Sequence, residues 1–151
     1  MAGAYYFSNV VDLPFSSAVA ATIEALGHHG FGVLTDIDVQ ATLKKKLDMS
    51  FRPYRILGAC NPRMAHQALL AEDKIGTMLP CNVVVQELES GKVEVSAVDP
   101  VASMQAIDNP NLAETAAKVR DLLREVIAEI GALGSSRAVH QAQWATTRQV
   151  P

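Results

Sequence analysis

Gly58-Ala59-Cys60-Asn61-Pro62 and Leu79-Pro80-Cys81-Asn82-Val83 are two versions of one junction, and they hold the only two cysteines of the chain. Each sets a cysteine directly before an asparagine, beside a proline, at the edge of an apolar run. From Tyr54 to Cys60 the residues alternate, with Tyr54, Ile56, Gly58 and Cys60 on one face and Arg55, Leu57 and Ala59 on the other, as in a strand. Asn61 is then a good helix N-cap and Pro62 a good first helical residue. A helix follows to about Glu72, with Ala65, Ala68 and Leu69 inward. Residues 73–80 connect it onward and are unusually apolar for a loop, through Ile75, Met78 and Leu79. Asn82–Leu88 and Lys92–Val98 then form a hairpin closed by Glu89-Ser90-Gly91, with one wet face on Lys92, Glu94 and Ser96.

This stretch also decides whether the cysteines meet. A helix of about 11 residues carries the chain back only ~16 Å. The eight connecting residues can return it further, at up to ~3.3 Å each. Antiparallel strands would make Cys60 and Cys81 neighbours, whereas parallel strands would put them at opposite ends of the sheet. The apolar connection, with room to fold back, favours neighbours.

Working outward, Tyr5–Val11 is aromatic and β-branched and reads as a strand. Phe15, Val19, Ile23 and Leu26 recur at helical spacing, with Ser16 or Ser17 as caps, and Gly30 stops that helix. His28 and His29 fall in its last turn, where they suit the dipole; adjacent helical residues diverge by ~100°, too far to share one ion easily. Phe31–Ile37 reads as a strand. Asp38 caps a short helix carrying Val39, Leu43 and Leu47 inward and Lys44-Lys45-Lys46 on its solvated side. Asp99-Pro100 opens a short turn through Met104. Asp108-Asn109-Pro110-Asn111 starts a long helix whose apolar stripe, from Leu112 to Leu133, ends at Gly134. Residues 134–151 lose the periodicity and read as a mobile tail, the alternative being a segment docked through Trp144.

The order is β-α-β-α-β-α-β-β-α. The terminal hairpin and the absence of any glycine-rich phosphate turn exclude a doubly wound sheet. The expected fold is a single α+β domain over residues 4–133, with two layers: a mixed, mostly antiparallel sheet and helices on one face.

At 151 residues, 49% apolar and 19% charged, the chain can bury a real core. Aromatics are only 5%, so aliphatics and alanine must fill it. A net charge of −3 gives no basic stripe for a nucleic acid. No run approaches the ~18 apolar residues of a membrane span, and no signal peptide is visible. A cytoplasmic protein with reduced thiols is expected.

In their order, Gly30-Phe31-Gly32-Val33-Leu34-Thr35-Asp36-Ile37-Asp38-Val39, Tyr54 to Pro62, Ile75-Gly76, Leu79 to Val85 and Asp99-Pro100 resemble the bacterial and archaeal family catalogued as domain of unknown function 302. The resemblance covers about residues 5–133. It implies a small α+β fold, often homodimeric, with no settled activity. Motif position in that family makes Arg55 and Asp99 candidates to line a pocket near the junctions.

No Ser-His-Asp context, G-x-S-x-G elbow, H-E-x-x-H or P-loop is present. The candidate ligand-binding residues are therefore Cys60, Cys81, Asn61, Asn82, Arg55 and Asp99. Cys60 precedes a helix N-terminus, which favours its thiolate relative to that of Cys81. Two thiolates suit copper or zinc, with His66, Met64, Met78 or a second subunit completing the shell. Thiol redox or sulfur transfer is the first alternative, and a small-ligand module with structural cysteines the second. A homodimer is expected, because the half-exposed sheet and the apolar loop at Ile75, Met78 and Leu79 call for cover.

Overall fold

The computed structural model describes residues 5–148, with side chains described to residue 132. Five strands, β1 (Tyr6–Val11), β2 (Gly32–Asp38), β3 (Tyr54–Cys60), β4 (Cys81–Glu87) and β5 (Val93–Val98), form one sheet in the order β1-β5-β4-β3-β2. Every pairing is antiparallel, so the sheet is wholly antiparallel rather than mixed. The β4–β5 hairpin turns where the sequence places it, with Gly91 at φ 86°, a conformation open to glycine.

The helices are α1 (Phe15–His28), α2 (Val39–Leu47), α3 (Pro62–Ala71), α4 (Pro100–Ser103) and α5 (Pro110–Arg148), and a 3-10 helix spans Asp73–Met78. α1 joins the two edge strands, so it must cross the sheet, and it packs on β4 and β5 as it does so. Its N-cap is Pro14, without a side-chain hydrogen bond, and neither Ser16 nor Ser17 takes that role. The other caps act as expected. Asp38 accepts from Ala41 N (2.9 Å), Asn61 from Met64 N (3.2 Å) and Asp99 from Val101 N (2.9 Å).

Strand alternation sorts the core. Leu57 and Ala59 of β3, Cys81, Val83 and Val85 of β4, and Val93, Val95 and Ala97 of β5 point at the helices and are buried. They meet Ala18, Ala25 and Leu26 of α1 and Leu123, Val126 and Ile130 of α5 in the main core. A smaller core of Ala68, Ile75, Met104, Leu112 and Ala116 lies between α3, the 3-10 helix, α4 and the start of α5. The apolar connection is thus covered within the chain: Ile75 is fully buried and Leu79 packs on the small core, while Met78 stays 41% exposed.

α5 does not end at Gly134 but continues to Arg148. A glycine inside a helix costs only ~1 kcal/mol relative to alanine, and no proline stands before residue 151 to break the helix. The expected mobility of the tail and the docking of Trp144 concern side chains outside the described residues. Among the described residues no helix is long and apolar enough to cross a membrane.

Candidate functional site

β3 and β4 pair with Ala59 opposite Cys81, so Cys60 and Cys81 lie at the same end of the sheet. There β3 gives way to α3 through the Asn61 cap, and the chain enters β4 through a cis Leu79–Pro80 bond. The two thiols are not a stacked cross-strand pair. Cys81 belongs to the buried set with Ala59, and Cys60 follows in the other parity at the last position of its strand. Both are free cysteines.

Both nevertheless border one cleft, at the seam between the two cores. Asn61 and Met64 enter it from the start of α3, Met104 from just after α4, and Leu112, Thr115 and Ala116 from the first turns of α5. Its walls are almost wholly apolar, and it holds about 40 Å³. One water-sized group needs ~10–15 Å³, so the cleft accepts an ion or a few heavy atoms but not a drug-sized molecule. The space arises because α3 and α5 face each other through small side chains, Ala68 and Ala116.

Cys81 is 7% exposed. Burial, with a smaller contribution from the charge of Cys60, pushes its thiol up to about 11. Desolvation disfavours the thiolate, so at neutral pH Cys81 is a protonated, weakly nucleophilic thiol.

The remaining candidates separate. Arg55 stands at the far end of β3, about five residues and roughly 16 Å from Cys60. Its guanidinium grips Asp36 through Nε (2.7 Å) and a second nitrogen, and this hydrogen bonding holds the Asp36 carboxyl below its usual range. Arg55 does not border the cleft. Asn82 is exposed and, being adjacent to Cys81 in the strand, belongs to the opposite face; Tyr54 and Gln86 share a groove with it there. Asp99 is occupied as the cap of α4, and its neighbour Pro100 borders the cleft in its place. His66 is exposed on α3 and does not border the cleft. Among the described residues no three or more His, Cys, Asp and Glu side chains are grouped to hold a metal ion. Met64 borders the cleft and Met78 does not.

Met104, Thr115 and Ala116 are the site residues that sequence reasoning missed. Ala116 was legible only as part of the apolar stripe of α5. The one available signal was a small residue one turn after Leu112, where a larger one would have filled the seam.

A second polar cluster lies away from the cleft. His28 Nδ1 and His29 Nε2 contact the two oxygens of Glu129 at 2.8 and 3.0 Å, with Glu125 3.2 Å from His29 and Glu24 3.9 Å from His28. These histidines do more than complement the dipole of α1, since they tie its end to α5.

A five-stranded antiparallel sheet backed by helices, with a small apolar cleft bordered by Cys60 and Cys81 at one end, defines a small α+β domain. The chain belongs to the family described as domain of unknown function DUF302, whose sequence profile it matches over residues 7–130. It is similar to the crystal structure of an uncharacterized conserved DUF302 protein from Bacillus stearothermophilus. The TM-score is 0.77 at 27% identity, over 83% of this chain and 97% of that one. No curated protein matches it.

Proposed function

We propose that the protein is a binding module whose site is the cleft between Cys60 and Cys81. The observation that carries this reading is the cleft itself: an apolar space at the seam of two cores, open at one end of the sheet and bordered by both cysteines. Apolar cavities with few polar groups are the usual form of a small-ligand site.

The chemistry of the lining weighs against the alternatives. Thiol redox and sulfur transfer need an accessible thiolate, and Cys81 is buried with its thiol pushed up to about 11. Zinc needs four nitrogen, oxygen or thiolate ligands, and His66 stands away from the cleft. Free thiols suit a reducing, cytoplasmic setting.

Native mass spectrometry of the full chain, purified anaerobically, tests the reading. The wild type should carry a bound mass that Ala116→Phe, which fills the cleft, does not. The variant should still melt cooperatively, overpacking costing about 1–3 kcal/mol. Bare wild-type protein under conditions that preserve noncovalent complexes would contradict it.

A further inference from the structure

We infer that the tip of the α2 excursion, residues 44–50, docks onto the surface of an anionic lipid bilayer, with Leu47 and Met49 entering the headgroup boundary and Lys44, Lys45 and Lys46 facing the lipid phosphates. α2 leaves the sheet at Asp38, and the chain comes back along it, tied by the hydrogen bond that Gln40 Nε2 donates to Phe51 O (3.0 Å). The reversal falls at Asp48, in the left-handed region at φ 51°. There the Asp48 and Met49 amides close onto the carbonyls of Lys44 and Leu43 at 3.0 and 3.4 Å. The last turn of α2 and the residues just after it thus form the end of a projection, and every residue from Lys44 to Ser50 is exposed. None of them borders the cleft.

Charge and apolar exposure coincide at this tip. It carries three lysines against one aspartate, a net charge of +2 on a chain whose total is −3. Asp48 engages Lys44 at 2.7 Å, and among the described residues Lys45 and Lys46 stand outside every ion pair. Beside them Leu47 is 61% and Met49 58% exposed. Val39 and Leu43, earlier on the apolar stripe of α2, are half-buried, so the stripe runs past the surface that covers it and ends in solvent. The dipole of α2 accounts for cations in its last turn but not for two large apolar side chains next to them. Lysines around exposed apolar side chains suit a helix lying in a membrane interface, where each lysine near an anionic surface strengthens binding about fivefold. A nucleic acid would use the cations and leave Leu47 and Met49 in water. The contact is peripheral, because among the described residues no helix is long and apolar enough to cross a bilayer.

The test is co-sedimentation of the full chain with vesicles of phosphatidylcholine alone and of equimolar phosphatidylcholine and phosphatidylglycerol. Binding to the anionic vesicles only is expected. It should fall as salt rises from about 0.1 M to about 1 M and the Debye length shrinks from ~10 Å to ~3 Å. Lys45→Gln/Lys46→Gln should weaken binding about 25-fold, fivefold for each charge removed. Leu47→Gln/Met49→Gln keeps every cation and should still weaken it about tenfold, which separates entry into a bilayer from attraction to any polyanion. All four side chains are exposed, so both variants should melt with the wild type. Wild-type protein that stays in solution with the anionic vesicles would overturn the docking. So would Leu47→Gln/Met49→Gln binding as tightly as the wild type, since the lysines would then act through charge alone.

Discussion

A methyl group added at Gly58 would collide with Thr35 Oγ1 and come within 2.7 Å of Pro80 Cγ. Gly58 thus lets β2, β3 and the entry to β4 close around the junction. Gly58→Ala should lower unfolding stability by about 1–3 kcal/mol, read as a lower urea midpoint at unchanged slope. Thr35→Ala in the same chain should recover part of that loss, and a Gly58→Ala midpoint equal to wild type would show that the approach is not tight. The His28–Glu129 contact makes a second prediction at this scale. The hydrogen bond to Glu129 and its charge raise the His28 pKa above its ordinary 6.5, and the same bond lowers Glu129 below its ordinary 4.5. The contact is therefore at full strength between those two ordinary values. It fades as pH rises through the raised His28 value and as pH falls through the lowered Glu129 value. An NMR titration should place the His28 midpoint above 6.5 in the wild type and lower in Glu129→Gln; equal midpoints would contradict the contact.

Among the elements, α3 and α5 differ in how much of them could be read from the chain. α3 announces itself locally: Asn61 caps, Pro62 opens, and the structure places the helix at Pro62–Ala71. α5 begins where Pro110 predicts, but its end was misread because Gly134 is a weak stop against a long helix with no proline ahead. Among the described residues, the last by which α5 packs on the main core is Ile130. Truncation after Leu133 should therefore shift the melting temperature by no more than a few degrees, roughly the effect of 1 kcal/mol in a domain of this size. A much larger drop would show that the last turns of α5 contribute to the core.

For the whole molecule, strand existence was legible and strand partnership was not. Alternation marks each strand, but nothing local tells Tyr6 to pair with Val98, or sets β2 on the far edge beside β3. The cleft was half legible for the same reason. Local junctions pointed to Cys60 and Cys81, while Ala116 and Met104 reach the site only through long-range packing. Arg55 and Asp99 were drawn in by motif position, and their observed partners are Asp36 and the amides of α4. The open sheet face bears Val10 and Ile37, which are 48% and 47% exposed, and a second copy of the chain is the proposed cover. Light scattering should report a dimer at micromolar concentration that Val10→Lys or Ile37→Lys dissociates; a monomer throughout that range would remove the proposal.

The most direct measurement is a crystal structure of the full chain purified and crystallised without oxygen. The account predicts non-protein density in the seam, in contact with Cys60 and Cys81 and bounded by Met64, Met104 and Ala116. A cleft closed by its own side chains, or filled only by water with the two cysteines turned away from each other, would contradict it.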